Sequence, residues 1–442
     1  MNMEINQKQA EALSALSKIC VSPYHMVAEA KRQLAEKGYQ ELSLTEEWHL
    51  EPGQNYMLDV YQTTCIAFRV NPAFAPGQQF RLAAAHTDWP CLRIKPMPAQ
   101  EAAGCRRLNV EVYGGPIYSS WFDRPLSIAG KVTCKGETPF KPECKLVDFG
   151  RPVVYLPNLA IHMNREANSG YAYNPQIDLL PIAGLADDAE KAEGDWFLQM
   201  LSAEVGVPAE DILGYDLYIY VQEEGEFVGN RGELLSAPRI DNLTSCASCL
   251  VGLLDSYRQD GLDMIVLFDN EECGSKSKQG ADSALLPLVL EKIGEGLSLT
   301  RQQQLNLIFG GIGLSVDVAH ARHPSHPEKA DPTTDVTLSP SVVVKLESNQ
   351  RYATDSMAAG VVDGLCRQYG IPVTHFSNRS DVRGGSTLGS LVSSWLPMAT
   401  VDIGVPILAM HSARELMAVE SQHCMDWLLS AFFSCVIEKA RI

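Results

Sequence analysis

Basic residues are scarce in this 442-residue chain: 36 Lys and Arg stand against 54 Asp and Glu, a formal charge of −18 at pH 7. No basic face is implied, and a phosphate backbone or an anionic membrane surface would be repelled, so neither nucleic acid nor membrane is expected as a partner. Long apolar runs are missing from the N-terminus as well. MNMEINQKQAEALSALSKIC carries early acidic residues and nothing apolar enough for a signal peptide or a membrane span, which predicts a cytoplasmic location. The twelve cysteines lie scattered from Cys20 to Cys435 without the short spacings of a disulfide framework, as suits reduced thiols. The one Cys-x-x-Cys, Cys246 to Cys249, lies in NLTSCASCLVGLLDSY at helical apolar spacing, and no second pair or adjacent histidine completes a redox or zinc site. GGSTLG, around Ser386, lacks the Gly-x-Ser-x-Gly elbow of a serine nucleophile. Internal repeats, low-complexity tracts and long linkers are also lacking.

What is present is an ordinary folded composition, with 45% apolar and 20% charged residues. The length exceeds what one core usually organises, so two domains are expected. Residues 7–37 read as two helices broken near SPYH, with Ser22 as N-cap and Pro23 at the first helical position. Phe80 to Ala85 reads as a buried strand running into a loop with His86 and Asp88. From 97 to 236 short alternating runs such as LNVEVYGG, LSIAGKVTC and DLYIYVQ suggest a β-rich module. After 237 the pattern returns to strands and helices: DMIVLFD is an apolar run ending in charge, and LNLIFGGIGLSVDVAHA repeats that design. The expected fold is therefore α/β. Residues 1–96 and 237–442 form one discontinuous domain with a mixed central sheet and flanking helices, interrupted by a β-rich domain over 97–236.

Five segments each place a metal-ligating side chain at the end of an apolar run: AAAHTD (His86), PRIDN (Asp241), LFDNEE (Glu271 and Glu272), SVDVAHARH (Asp317) and AMHS (His411). Two imidazoles and three carboxylates with a spare glutamate are the inventory of a carboxylate-rich two-metal hydrolytic site. A lone Asp or His beside a strand is usually a cap or a hydrogen-bonded core group. The adjacent Glu271 and Glu272 are more telling, because neighbouring carboxylates repel unless cations or a proton share the site. In a loop one can face a metal and the other a water. Asp88, two residues after His86, is expected to hold the second ring nitrogen of that histidine.

These segments, with VEVYGGPIYSSWFDRPLSIAGKV, SNQRYATDS, SDVRGGSTLG and TVDIGVPILAMHSARE, occur in an order that resembles the aspartyl aminopeptidase family over roughly residues 80–420. The resemblance implies a metallopeptidase domain with an inserted β-rich domain that makes dimer contacts, assembled as a tetrahedral homododecamer. It implies that His86, Asp241 and Glu272 hold one or both metals with Asp241 as the bridge, that Asp317 and His411 complete the pair, and that Glu271 is the general base. It also implies substrate contacts from His162, His320, His323, Lys345 and Tyr352, with His162 reaching the active site of its own or a neighbouring subunit. Two departures weaken the carry-over of specificity: Asn378-Arg379-Ser380-Asp381 stands where the family has an Arg-Asn-Asp run, and Trp89 replaces a Ser.

The reaction so implied is removal of the N-terminal residue from peptides with a free amine, with a preference for Asp or Glu. The cofactors would be two divalent ions, zinc with manganese or cobalt as an alternative in one site, activating a water whose proton Glu271 takes. Two other readings stand beside it. One is a co-catalytic enzyme of leucine-type preference; the other is a metal-stabilised scaffold shell, against which the intact Glu271 and ligand set argue.

Overall fold

The computed structural model of the chain describes residues 2–186 and 195–435; residues 187–194, within the 97–236 stretch, lie outside it. Four apolar runs form its centre. Strands Leu262–Phe268, Phe80–His86, Ile312–His320 and Ala399–Leu408 lie side by side and parallel. Parallel strands are covered by helices on both faces, so their residues are apolar continuously rather than alternately. Ala83, Ala85, Ile265 and Leu267 meet one core, shared with helices Pro23–Glu36, Ile240–Leu254 and Val419–Ser434. Leu82, Ala84, Met264 and Val266 meet the other, closed by helices Leu285–Gly296 and Leu388–Trp395. Further strands extend this into a 12-stranded mixed sheet.

A second sheet of seven strands is built between Cys91 and Val221. It is antiparallel throughout, and strand Ile212–Val221 pairs with both Cys91–Ala102 and Pro125–Thr138, so the sheet closes on itself. Closure leaves few strand edges exposed. Glu226–Val228 and Leu234–Ala237, which fall at the end of the 97–236 stretch, pair instead with the 12-stranded sheet. The mixed sheet with flanking helices and a separate β-rich sheet is the architecture expected. No helix among the described residues is long and apolar enough to cross a membrane.

Three local readings change. Ser22 has the extended backbone of an N-cap and Pro23 follows it, but the Ser22 hydroxyl makes no cap hydrogen bond and pairs with His25 Nδ1 at 2.7 Å. LNLIFGGIGLSVDVAHA is not one strand. A capping box of Thr300 and Gln303 starts helix Arg301–Phe309, and Gly310 and Gly311 separate it from strand Ile312–His320. The alternation of VVVKLES suits an edge strand with the Lys345 head in solvent, but Val342–Lys345 is held between Val373–Phe376 and Ala399–Leu408.

Cys246 and Cys249 are buried free thiols, raised by burial, and Cys246 Sγ donates to the His86 carbonyl. Their role is packing. Between the same helix and Val419–Ser434 runs a buried polar network in which Ser248 Oγ and Gln422 Nε2 donate to Asp426 Oδ1 at 2.6 and 2.8 Å. Burial pushes the Asp426 carboxyl up to about 7, above the ~3.9 of an unfolded Asp. The folded protein thus holds a proton that the unfolded chain releases, so the associated stability is whole below pH ~4 and is lost as the pH climbs to 7. Asp426→Asn keeps the acceptor oxygen and cannot ionise. It is expected to be more stable than the parent at pH 8, on the order of 2–4 kcal/mol, with the gap closing towards pH 4. Thermal unfolding of both proteins across that range is the check, and a pH-independent offset refutes it.

Candidate metal centre

In open α/β sheets functional groups collect at the carboxyl ends of the parallel strands. His86 ends strand Phe80–His86, residues 269–272 follow Leu262–Phe268, Asp317 lies within Ile312–His320, and His411 follows Ala399–Leu408. Asp241 lies near the start of Ile240–Leu254, where its own backbone and that of Asn242 are non-helical, so it precedes the regular helix and stands at its positive end. The ladder between Phe80–His86 and Ile312–His320 stops at Ala84 and Ser315. Continued by two residues it would set His86 opposite Asp317, and the splayed strands let those side chains meet instead.

The contacts fall into two halves that share Asp241. His86 Nε2 lies 3.4 Å from Asp241 Oδ1 and 3.5 Å from Asp317 Oδ1. His411 Nε2 lies 3.4 Å from Asp241 Oδ2 and 3.5 Å from Glu272 Oε2. These separations are long for hydrogen bonds. They match the edge of a tetrahedron, since two ligands each ~2.0–2.1 Å from a zinc ion stand roughly 3.3 Å apart.

Proton placement sharpens the point. His86 Nδ1 lies 3.0 Å from the Asp88 carbonyl and His411 Nδ1 3.2 Å from the Gly115 carbonyl. A carbonyl only accepts, so each Nδ1 carries a proton and each ring turns Nε2 toward carboxylate oxygens, where a neutral ring would set its lone pair against theirs. Lone pairs facing lone pairs repel unless a cation or proton lies between them. Asp241 Oδ1 and Glu272 Oε1 are buried without a hydrogen-bond donor. The donor set of two imidazoles and three carboxylates therefore fits divalent metal, and His86, Asp241 and Glu272 bring one ligand atom each within 4.8 Å of one another.

The electrostatics show the same strain. Burial and the Asp241 and Glu271 carboxylates hold Glu272 well above the usual carboxylate range. Burial, with Asp317, Asp88 and Asp241 around it, pushes Glu271 up to about 8 against the pull of His86. Burial opposes charge on His411, yet the Asp241 carboxylate brings it up to about 9. Asp317 runs the other way: against burial, the Lys345 ammonium and His86 hold it well below the ordinary range. Cations would substitute for these shared protons.

The cavity over this cluster has a volume of about 440 Å³ and is also lined by Glu271, His320, Lys345 and Tyr352. Lys345 is 2% exposed, and its Nζ donates to the Val318 carbonyl at 2.9 Å and to Asp317 Oδ2 at 3.3 Å. Its ammonium also lies 5.4 Å from the centre of the Tyr352 ring. The solvated edge lysine suggested by alternation is thus a buried ion pair. His323 lines an adjoining cavity, while His162 is exposed in a loop of the second sheet's module and lines neither.

Asp88 acts differently from expectation. Its carbonyl takes the His86 proton, with the carboxylate at 3.5 Å. The carboxylate instead accepts the amides of Glu271 and Glu272, both at 3.1 Å, and the Tyr113 hydroxyl at 2.6 Å. It therefore pins the turn that carries both glutamates. Glu415 is a residue that sequence reasoning missed. Buried at 3% exposure, it accepts the amides of Asp241 and His411, both at 2.9 Å, and so ties together two members of the cluster. Four residues after His411, it gave no sequence signal beyond lying in the same segment.

The second sheet's module reaches in at the same place. Gly115 accepts from the His411 ring, Ile117 N donates to the His411 carbonyl at 2.9 Å, and Ser120 Oγ accepts the amide of Ala413. Gly114 makes the approach possible: at φ +69°, a Cβ there would meet Glu272 Cβ at 3.1 Å and Pro90 Cα at 3.3 Å.

A carboxylate and imidazole cluster at the strand ends of an α/β sheet, with one aspartate between two nitrogen ligands, defines a metal-dependent hydrolase. The chain belongs to the aminopeptidase I zinc metalloprotease family (M18), which matches residues 17–433. It is thus a metalloaminopeptidase, a hydrolase acting on peptides, of a zinc-using family. A probable M18 family aminopeptidase 2 of Clostridium acetobutylicum is 40% identical over 396 residues, 89% of this chain and 91% of that one. A protein of the same description from Pseudomonas aeruginosa is 38% identical over 98% of this chain and 99% of its own. Among solved structures, a chain of the Ape4 and Nbr1 complex superposes with a TM-score of 0.93 at 30% identity, covering 97% of this chain and 86% of that chain.

Proposed function

We propose that the enzyme removes N-terminal residues, acidic ones by preference, at a two-cation centre in which Asp241 is shared, His86 and Asp317 complete one half, and Glu272 and His411 the other. The observation that carries this is the pair of 3.4 Å separations from the two oxygens of Asp241 to two different imidazole nitrogens. Bound there, divalent zinc, or manganese or cobalt in one half, would supply a Lewis acid and acidify water. Glu271 is the general base: it lines the cavity, while its amide rather than its carboxylate is tied to Asp88. Its place beside the ligands suits it to take a proton from water and return it to the leaving amine. Elemental analysis with cleavage rates for Asp, Glu, Leu and Lys aminoacyl substrates tests the whole reading. One ion per subunit, or a flat substrate profile, overturns the corresponding half.

Lys345 supports the acidic preference. It is the one Lys or Arg lining the metal cavity among the described residues, and with two of its three donors committed it retains one for a substrate carboxylate. Lys345→Met is expected to depress cleavage of Asp and Glu substrates at least ~10-fold more than of Leu substrates, the scale of one charge-assisted contact. An equal fall would assign Lys345 to Asp317 alone. Tyr352 and His320 complete the substrate wall in this reading, and His162 contributes from a neighbouring subunit.

We further infer that the β-rich module, the 97–236 domain, carries subunit contacts in a homo-oligomer. Support comes from its exposed Phe140, Met97 and Met163, at 96%, 85% and 75%. mApe1, which shares the fold at a TM-score of 0.84, is a dodecamer; for this chain a tetrahedral dodecamer built from dimers is proposed. The enzyme is placed in the cytoplasm, acting on soluble peptides.

A further inference from the structure

Beside the metal cavity lies a second one, of about 290 Å³, and the two share His320 and Gly385 as a common wall. Its charged lining is unlike the rest of this acidic chain. Arg322, Lys329, Arg379 and Arg383 face a single carboxylate, Asp331. That carboxylate is already occupied, accepting from Thr333 N, Thr333 Oγ1 and Thr334 N at 2.6–3.1 Å.

The four cations are not equally committed. Arg322 pairs with Asp335 at 3.0 Å, and Arg379 grips Asp381 through two 2.8 Å bonds. Lys329 and Arg383 are exposed, and among the described residues their side chains make no hydrogen bond or ion pair within 4 Å. With Arg322 and Arg379 cancelled by their own carboxylates, Lys329 and Arg383 outweigh Asp331 and leave the lining with one net positive charge, in a molecule whose formal charge is −18. Field of one sign within a cleft raises the local concentration of the opposite charge.

Position tells which part of a substrate meets it. An aminopeptidase holds one residue on the amino side of the scissile bond, and everything else extends from the carbonyl side. The metal cavity is lined by the proposed ligands, Glu271 and Lys345, and it adjoins the cationic cavity at His320 and Gly385. We propose that this second cavity is a subsite for the leaving portion of the peptide that recognises a carboxylate there, through Lys329 and Arg383. The inference rests on the metal-centre reading above. Two sources offer that chemistry: an acidic side chain at the second position, and the free C-terminus of a dipeptide.

The test uses the full, metal-loaded enzyme and its Lys329→Ala/Arg383→Ala double variant on four substrates with one common first residue: Xaa-Glu-amide, Xaa-Ala-amide, Xaa-Ala as the free acid, and an Xaa-nitroanilide. The expected result is about a 10-fold fall in kcat/KM preference for Xaa-Glu-amide over Xaa-Ala-amide, carried by KM, as for loss of one or two charge-assisted contacts. A matching loss for the free acid over Xaa-Ala-amide would identify the terminal carboxylate as a second ligand; its absence assigns the subsite to side chains. Lys329→Arg/Arg383→Lys should restore the preference. Unchanged preference in the Ala variant, or a fall shared equally by all four substrates, overturns the proposal. Failure of the metal-centre reading is distinguishable, because it would show as nitroanilide turnover surviving in Glu271→Gln whatever the cationic cavity does.

Discussion

Glu271→Gln is expected to keep the full metal content and to lose turnover by ~10²–10⁴, the usual cost of a missing general base. The geometry separates the two effects. The imidazole nitrogens approach Asp241, Asp317 and Glu272 at 3.4–3.5 Å, and Glu271 belongs to none of these pairs. Glutamine preserves the shape of the side chain, and the backbone bond from residue 271 to Asp88 is untouched. Elemental analysis beside steady-state kinetics reads both quantities. Retention of more than about a tenth of parental kcat would remove Glu271 from the role, because that lies well short of general-base magnitudes.

Asp241→Ala should act on metal content and rate together. Among the described residues Asp241 is the one carboxylate approached by both His86 and His411, so on the proposed reading its loss removes a ligand from each half. Disturbing a group that merely orients a ligand costs about 10–100-fold in affinity or activity, and loss of a shared ligand should exceed that at both ions. Alanine keeps the amide that Glu415 accepts, so the helix start is preserved. Asp241→Asn offers a milder companion that retains shape and removes charge. Two tightly held ions per subunit in the alanine variant would place the shared ligand elsewhere.

The clustering of His86, Asp241, Glu272, Asp317 and His411 was legible because each ends an apolar run in the sequence, and strand ends of a parallel sheet gather in one place. The same signal is ambiguous at the opposite end of the same strands. Asp263, one residue into Leu262–Phe268, is also buried and acidic, yet Arg69, Arg258 and Asn71 satisfy it at 2.6–3.1 Å. Only the three-dimensional partners separate a closed ionic cluster from an open one. Lys345 shows the limit of periodicity: alternation reports that a strand has two faces, and does not report whether further strands lie on both its edges. Glu415 was beyond reach for a related reason, since the amide of Asp241 that it binds lies 174 residues away. The cationic cavity is assembled from segments around 322–331 and 376–385 whose charges, read in sequence, look like solvated loops.

The grip of the β-rich module on His411 has a mechanical corollary. A ligand clasped at its ring by Gly115 and at its carbonyl by Ile117 cannot shift independently of the body that clasps it. Rocking of the smaller body against the larger one is then also a change in bite at the Asp241 and Glu272 half of the centre. By reciprocity of coupled equilibria, an ion held in that half as proposed would tighten the contact by the same free energy with which the seated module would tighten the ion. On the proposed reading, removing that ion is expected to loosen the contact between the β-rich module and His411 as well as to stop turnover.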